Sequence, residues 1–357
     1  MTISYADGTS ASYTYDSANQ RLTMVDATGT TSYAYDAAGE LTSVTAPGTG
    51  TVGYTYTPVG LEASLTYPVS GQVVNYGYDP ANRLTSVTDW QNLATTYGYD
   101  AAGRLASIAY PNGVAPSYGY DTAGRLASVG DTKGTTSLFS AAYTRDAVGN
   151  PTQVVEAGVV PSPGTTTYGY DAANQLVSAT YPGASTASWG YDPVGNRTSA
   201  TLNGTTTPAT YDAADRLLTS GSTTDSYDAN GNLLCDGTTT YMCDARNLLV
   251  GVSNSNLTAS YTYDGNGYRV AKTINGGMTS YAWDRTGQGG LGTVIAKNPT
   301  SAATSEQYVF GSAGLQEGTP RVARQGLLVF VQEDGLGSPR LTTDSGGTVQ
   351  NATTYGS

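Results

Sequence analysis

The sequence predicts an all-β fold, built as a repetitive ribbon of β-hairpins. The first observation is self-similarity, because Tyr97–Leu105 (YGYDAAGRL) returns almost unchanged as Tyr118–Leu126 (YGYDTAGRL). The second is a pair of aromatic residues at i and i+2 before the repeated aspartate, which places both rings on one face of a strand. The third is that no segment shows a sustained 3.6-residue apolar period, so we expect almost no helix.

The repeated aspartate sets the length of each unit. Its position recurs about every 20.6 residues along the first 284, and units of nearly constant length stack so that equivalent side chains become neighbours. One position holds Thr57 instead of aspartate. The others, which we predict to be structural turn aspartates, are Asp16, Asp36, Asp79, Asp100, Asp121, Asp146, Asp171, Asp192, Asp212, Asp228, Asp244, Asp264 and Asp284.

The residues after each aspartate have the chemistry of a tight turn. A carboxylate can accept hydrogen bonds from N–H groups two or three residues ahead, and Gly or Asn tolerates positive φ. We therefore predict positive φ at Gly103 and Gly124. After the turn the chain alternates again, so Leu105 and the β-branched Ile108 are expected to share a face. One unit is thus a strand, a four-residue turn and a second strand.

The aromatic residues are mostly phenols. The chain has 29 Tyr and only 3 Phe, whereas an ordinary core would use Phe freely because a buried phenol needs a hydrogen-bond partner. This composition favours a thin structure in which the aromatic face stays partly wet or is laddered by hydrogen bonds.

Charge and residue usage argue against several classes of function. The net charge is −12, which is the wrong sign for nucleic acid or an anionic membrane surface, and no apolar run is long enough for membrane insertion. The absence of histidine removes Ser-His-Asp and Cys-His triads and the common zinc sites. We expect no enzyme activity, no cofactor and no metal. Repeated Asp-x-x-Gly turns resemble calcium-binding loops, but calcium-binding repeats have more acidic residues per loop than these turns have.

Two cysteines, Cys235 and Cys243, are too few for a disulfide framework. Either they are small replacements for other side chains, or they form a bridge within or between neighbouring hairpins. A two-residue turn at Asp236-Gly237 would place Cys243 far along the partner strand, which weakens the simple bridge within one hairpin.

The Tyr-x-Tyr-Asp-x-x-Gly-x-Leu units resemble the YD repeats of the Rhs family, which also includes wall-associated proteins, toxin-complex shells and the teneurins. The resemblance covers about Tyr13 to Thr343, and Glu333–Asp344 (EDGLGSPRLTTD) is similar to a stretch near the end of bacterial Rhs cores. It implies hairpins that spiral into a curved strip or hollow shell. It also implies about fourteen YD units over 1–284, followed over 285–357 by an Rhs-core C-terminal-like region with the DGLGSPR stretch in the same continuous sheet. Bacterial Rhs cores usually carry a histidine before that aspartate, and this chain has none.

For function, the resemblance implies a non-enzymatic structural segment of a secreted or cell-surface protein, forming a β-shell that encloses or presents a cargo such as a toxin domain. Its partners would be other parts of its own longer chain or the cargo. The alternative is an extracellular adhesin or filament subunit, built by head-to-tail addition of the uncharged edge strands at Thr2–Tyr5 and Thr348–Tyr355. Exposed tyrosine rings could also stack against sugar rings, so glycans are a further class of possible partner.

Overall fold

The computed structural model confirms the all-β prediction. It describes residues 1–68, 71–286, 292–299, 305–310, 321–324, 327–333 and 339–353. The helical structure in these ranges is a single 3-10 turn at Pro182–Ala184. Among the described residues, no helix is both long and apolar enough to cross a membrane.

The strands are short and follow one another at the rhythm of the repeat. In chain order they are β1 (Thr2–Ser4), β2 (Ser10–Tyr15), β3 (Arg21–Asp26), β4 (Gly29–Tyr35), β5 (Leu41–Ala46), β6 (Gly50–Tyr56), β7 (Glu62–Thr66), β8 (Val73–Tyr78), β9 (Leu84–Thr88), β10 (Ala94–Tyr99), β11 (Leu105–Ala109), β12 (Val114–Tyr120), β13 (Leu126–Lys133), β14 (Thr136–Arg145), β15 (Pro151–Gly158), β16 (Gly164–Tyr170), β17 (Leu176–Thr180), β18 (Thr186–Tyr191), β19 (Arg197–Leu202), β20 (Thr205–Tyr211), β21 (Leu217–Ser220), β22 (Thr223–Thr224), β23 (Ser226–Tyr227), β24 (Leu233–Cys235), β25 (Thr240–Cys243), β26 (Leu249–Ser253), β27 (Thr258–Tyr263), β28 (Arg269–Ile274), β29 (Gly277–Asp284), β30 (Thr293–Lys297), β31 (Glu306–Val309), β32 (Arg321–Arg324), β33 (Leu327–Glu333), β34 (Pro339–Thr343) and β35 (Val349–Ala352).

The chain forms two compact units, each of which combines an early and a late segment. Unit 1 consists of Met1–Tyr97 and Thr239–Phe330, and unit 2 consists of Gly98–Thr238 and Val331–Ser357. In both units, strands that follow one another in the chain pair antiparallel, as short hairpin connections require. Of the DGLGSPR stretch, residues 334–338 lie outside the described residues, as do 354–357 of the predicted second edge strand.

In unit 1 this antiparallel pairing runs through β1 to β10 and again through β25 to β33. The two segments share one apolar core, in which side chains of β5 to β9 pack with side chains of β29 to β31. Its buried members are Val44, Val52, Tyr54, Leu65, Tyr67, Val74, Leu84, Val87, Ala282, Ile295, Ala296 and Val309.

In unit 2 the pairing runs through β11 to β22, with further hairpins at β23–β24 and β34–β35. Its buried apolar side chains follow the same repeat positions as those of unit 1 and include Leu105, Ile108, Val114, Val129, Phe139 and Leu341.

A register shift beside each turn decides which side chains are buried. In the β8–β9 hairpin, Tyr78 pairs with Leu84 and Gly77 pairs with Ser86, so Thr85 is an extra residue between them. Simple alternation would put Leu84 and Val87 on opposite faces, but both are 3% exposed because the bulge turns the strand. Leu105 and Ile108, which are also three residues apart, are both buried. The predicted shared face is therefore confirmed, although the strand alternation from which it was predicted would place them on opposite faces.

Candidate functional site

The turn after Asp100 shows the local structure on which the repeat depends. Asp100 donates its N–H to the Arg104 carbonyl at 2.9 Å, and Gly103 donates to the Asp100 carbonyl at 2.9 Å. The Oδ1 atom of Asp100 accepts N–H bonds from Ala102 and Arg104, both at 2.9 Å. One carboxylate oxygen therefore satisfies two backbone donors that the turn would otherwise leave without partners.

The same carboxylate geometry recurs along the chain. The Oδ1 atom accepts N–H bonds from residues two and four positions ahead at Asp16, Asp36, Asp79, Asp89, Asp100, Asp121, Asp146, Asp171, Asp192, Asp212, Asp228, Asp244, Asp264 and Asp344.

Two of these aspartates, Asp89 and Asp344, are not among the predicted ones. Neither follows a tyrosine pair, so the Tyr-x-Tyr-Asp pattern does not include them. The available signal was Asp-x-x-Asn or Asp-x-x-Gly alone, because Asn92 and Gly347 occupy the positive-φ position in both turns.

Two predicted positions differ from the rest. Thr57 uses its hydroxyl in place of a carboxylate, and its Oγ1 accepts the Leu61 N–H at 3.1 Å. Asp284 accepts the Thr286 N–H at 2.9 Å, but residue 288, which would supply its second bond, lies outside the described residues. Asp284 instead takes part in a buried contact described below.

The fourth turn residue has positive φ, as predicted. Gly103 and Gly124 both have φ of 80°. Asn takes the same conformation at Asn19 and Asn82, whereas Asp215 adopts it with φ of 59° in a repeat that has neither Gly nor Asn there. Short polar side chains tolerate this region because they can hydrogen-bond locally.

In several repeats an arginine lies four residues after the turn aspartate, and its guanidinium group forms an ion pair with the aspartate Oδ2 atom. Arg104 reaches Asp100 at 2.6 Å, and Arg216 reaches Asp212 at 2.6 Å. Hydrogen bonds from the Arg104 side chain and backbone lower the pKa of Asp100. These guanidinium groups remain about a third exposed, so the ion pairs add little stability beyond the turn itself.

In many repeats the second aromatic residue of the pair hydrogen-bonds to the preceding repeat. Tyr120 donates its phenol O–H at 2.7 Å to the carbonyl of Leu105, the fifth residue after the previous turn aspartate. Of the two alternatives that the sequence left open, a partly wet aromatic face or one laddered by hydrogen bonds, these phenols show the second. We call the set of such contacts the tyrosine ladder, which comprises Tyr56–Leu41, Tyr78–Glu62, Tyr120–Leu105, Tyr170–Pro151, Tyr191–Leu176, Tyr211–Arg197, Tyr227–Leu217 and, through an indole, Trp283–Arg269.

The residue between the two tyrosines is matched to its cross-strand neighbour. Gly119 pairs with Ser128, and a Cβ on Gly119 would lie 2.4 Å from the Ser128 hydroxyl oxygen. Thr14 instead faces Thr23, and their hydroxyls hydrogen-bond at 2.6 Å. Glycine with serine and threonine with threonine are therefore two ways of filling one space, and this pairing was not predicted from the sequence.

In unit 1 the turn after Asp264 packs onto the early strands. Tyr13 donates its O–H to the Gly265 carbonyl at 3.0 Å, and the Gly265 N–H donates to Asp26 Oδ2 at 2.5 Å. Asp264 is 1% exposed and forms an ion pair with Arg285 at 2.7 Å. The Asp264 end of this turn is therefore packed against the early strands of unit 1, whereas Asn266 stays exposed.

Two acids meet beside this turn. The Thr286 hydroxyl lies 3.0 Å from Glu62 Oε2 and 2.7 Å from Asp284 Oδ1. Burial and the neighbouring Asp284 charge raise the pKa of Glu62 to about 8, and burial also raises the pKa of Asp284. The pair therefore retains a proton near neutral pH, because two buried like charges this close are costly.

Unit 2 contains a buried acid of its own. Asp131 is 1% exposed, and neither carboxylate oxygen has a hydrogen-bond partner among the described residues. Burial raises the pKa of Asp131 to about 7. Nearby in the same unit, Arg340 forms an ion pair with Glu156 and lies 5.7 Å from the Phe139 ring centroid.

The cysteines are not joined by a disulfide. Cys235 lies opposite Ser226 in the β23–β24 pair, and Cys243 lies opposite Leu249 in the β25–β26 pair. Each cysteine thus faces a different strand across its own hairpin. In the described part of the chain, no three His, Cys, Asp or Glu side chains are grouped as a metal site would need.

Two family models match the sequence. The RHS Repeat model matches residues 21–51, 35–69, 56–94 and 91–115, and the Teneurin YD-shell model matches residues 135–282. No curated protein sequence matches the chain.

Several solved structures share the fold. The Tc holotoxin pore of Photorhabdus luminescens matches 97% of this chain with a TM-score of 0.66 at 17% identity. Crystal structures of TcdB2-TccC3 without its hypervariable C-terminal region and of TcdB2-TccC3 match 97% and 95% with TM-scores of 0.68 and 0.60, at 17% and 16% identity. The chain spans only 23% to 24% of the length of these chains.

Proposed function

Because the chain belongs to the Rhs/YD-repeat family, we propose that it is a non-enzymatic segment of a β-shell that encloses or presents a cargo domain. The observation that carries this proposal is the tyrosine ladder. Each contact links the strand before one turn to the strand after the previous turn, so neighbouring hairpins are joined by side chains as well as by backbone pairing. A sheet reinforced in this way is suited to containment.

The chemistry of the segment fits a passive wall. The turn aspartates accept hydrogen bonds from the backbone N–H groups of their own turns. Arg104 and Arg216 form ion pairs with two of these carboxylates, so the charges are balanced locally. A low fraction of charged residues, with abundant glycine and hydroxyl side chains, suits a long-lived protein. We therefore propose a secreted or cell-surface location. The partners would be other parts of a longer chain and its cargo.

The test is limited proteolysis of the native protein in which this segment occurs, followed by mass spectrometry. A closed wall protects its own strands and whatever lies behind it, so peptides of the segment and of the cargo should be released late and together. Replacing Tyr120 and Tyr191 by Phe removes two ladder contacts and should advance the release of both. Tyr15→Phe makes the same chemical change on an exposed side chain and is the control. Cargo peptides released early from the unmodified protein would contradict the proposal.

A filament or adhesin subunit is a second candidate, favoured by the terminal strands. β1 and β35 carry no charged side chain, β1 pairs with β2 and β35 pairs with β34, and no second pairing is seen for either among the described strands. Unprotected edges of this kind template strand addition. Light scattering should then show growth with concentration, which Ile3→Pro together with Val349→Lys should block. A monomer at high concentration would refute this candidate.

A further inference from the structure

An open cavity of about 400 Å³ lies in unit 1 where the turn after Asp264 meets β3 and β4. Its volume is within the range of small-molecule sites. The side chains that line it are mostly polar: Arg21, Tyr33, Tyr35, Leu41, Asn266, Tyr268 and Arg285.

Hydrogen-bond donors converge on one hydroxyl in this cavity. The Tyr33 oxygen lies 3.2 Å from the Asn266 Nδ2 donor and 3.4 Å from the Arg285 Nη1 donor. A phenol oxygen that accepts from two donors still has its own proton to donate. Within the described part of the chain, no acceptor receives that proton. The cavity thus has an excess of donors.

The Arg21 guanidinium adds a positive charge to the same place. It is stacked between the rings of Tyr13 and Tyr33, with centroid distances of 5.0 Å and 5.4 Å. The Nη1 atom of Arg21 donates a hydrogen bond to Asn266 Oδ1 at 2.7 Å. Because the amide oxygen faces Arg21, the amide nitrogen of Asn266 faces the Tyr33 hydroxyl. In the described residues no carboxylate forms an ion pair with Arg21, whereas Arg104 is bound by Asp100.

The other cation of the cavity already has its counterion. Arg285 is paired with the buried Asp264, so this charge is balanced and Arg21 gives the cavity its net positive character. One face of Tyr33 and one face of Tyr268 are covered by the guanidinium groups of Arg21 and Arg285, which reduces the ring surface open to an apolar ligand. These features select a polar anion over a flat apolar ligand.

We propose that the cavity binds an oxyanion group, such as a carboxylate, sulfate or phosphate on a small polar molecule, held by Arg21, Tyr33 and Asn266. A guanidinium presents paired donors that match the oxygens of such groups. The Asn266 amide and the Tyr33 hydroxyl supply further donors, and the ligand supplies the acceptor and the negative charge that the cavity lacks.

The experiment is isothermal titration of the chain with inorganic phosphate, sulfate and glucuronate, at constant ionic strength maintained with chloride. Binding of at least one of these anions is expected, and the anion that binds most tightly identifies the group. Arg21→Gln should weaken that binding about tenfold or more, because it removes a charged hydrogen bond. Tyr33→Phe removes one donor without removing the ring and should weaken it less.

Arg269→Gln is the matched control. Arg269 is also the fifth residue after a turn aspartate and is also stacked between two tyrosines, Tyr261 at 5.4 Å and Tyr281 at 5.5 Å, but it does not line the cavity. This variant should bind as the original chain does. Should Arg21→Gln fail to fold by circular dichroism, Asn266→Asp serves instead, and its added carboxylate should abolish binding. Absence of binding by all three anions, or equal weakening in Arg269→Gln, overturns the proposal.

Discussion

The turns at Asp100 and at Asp264 share their backbone hydrogen bonds but differ in their surroundings. In both, Oδ1 accepts the N–H groups two and four residues ahead. Ala101 is exposed next to the first carboxylate, whereas Gly265 follows the second and lies against Ala11 and Met24. One motif therefore makes either a surface turn or a turn whose aspartate is buried against neighbouring strands.

The two turns differ at three positions, and the first and the last of these account for the contrast. The surface turn reads Asp-Ala-Ala-Gly-Arg and the packed turn reads Asp-Gly-Asn-Gly-Tyr. Loss of the alanine side chain at Gly265 permits close approach to the early strands. The aspartate has no arginine four residues ahead, and Arg285 from the next turn supplies the charge instead. Small substitutions thus convert a turn of the repeat into a contact between two chain segments of unit 1.

The largest contrast is expected when the aspartate itself is removed. Asp264→Ala leaves the 6% exposed Arg285 side chain without its counterion, and breaking a buried pair in this way costs about 3–5 kcal/mol. Asp100→Ala removes contacts that are partly open to solvent and leaves no buried charge unpaired, so it should lower the unfolding midpoint much less. Urea unfolding followed by tyrosine fluorescence measures both. Equal losses in the two variants would show that the buried ion pair contributes nothing beyond the turn.

The packed region should also respond to pH in a way that the surface turns do not. The pKa of Glu62 is raised to about 8 in the folded chain, so between about pH 4 and pH 8 the folded state holds a proton that the unfolded state has released. Stability should therefore decrease as pH rises through this window, by a loss of the order of 2–4 kcal/mol. At surface turns such as Asp100 the pKa is lowered, so their contribution is lost only in acid.

Glu62→Gln separates these two effects. The amide cannot ionise, so the decrease in unfolding midpoint between pH 5 and about pH 8 should become shallower, while the acid limb of the curve stays. Asp131→Asn should flatten the curve in the same direction through unit 2, where burial raises the pKa to about 7. A curve that is unchanged in Glu62→Gln would mean that this acid pair is ionised in the folded protein.

A smaller effect is expected from the glycine that lets the packed turn approach. A Cβ at Gly265 would lie 3.0 Å from both Ala11 Cβ and Met24 Sδ, and overpacking of this kind costs about 1–3 kcal/mol. Gly265→Ala should therefore destabilise unit 1, whereas Ala101→Ser at the equivalent exposed position should be nearly neutral. Thermal unfolding of the two variants side by side makes the comparison. A neutral Gly265→Ala would imply that the early strands can move aside.

The repeating parts of the fold could be predicted from the sequence because the residues that determine each strand and turn lie within the same repeat. Alternating aromatics give the strand, and Asp100 and Gly103 give the turn, all within about 20 residues. The parts that could not be predicted join residues far apart in the chain. The contact of Tyr13 with Gly265 and the meeting of Glu62 with Asp284 depend on how two segments of unit 1 come together, which no local pattern records.

The tyrosine ladder lies between these cases. The abundance of phenols predicted hydrogen bonds, but the acceptor of Tyr120 is the backbone carbonyl of Leu105. Every residue has such a carbonyl, so the sequence does not indicate which one is the acceptor. The donor cavity is similar, since Arg21 and Asn266 are 245 positions apart. Its only local clue is that Arg21 is the fifth residue after its aspartate, whereas Arg104 is the fourth and is bound by Asp100.

The smallest expected effect tests the surface turn alone. Gly103 has φ of 80°, a region in which a residue with a Cβ costs roughly 1–2 kcal/mol, and a β-branched residue costs more than an unbranched one. Gly103→Val should therefore lower the unfolding midpoint, whereas Ala101→Val, two residues earlier and also exposed, should change it little. Gly124→Val should repeat the result, because its φ is also 80°. Gly103→Asn should restore most of the loss, since Asn adopts this conformation at Asn19 and Asn82. If valine is tolerated equally at positions 101 and 103, the positive-φ residue is not what fixes the turn, and the packed turn at Asp264 would differ from the surface turns in more than its surroundings.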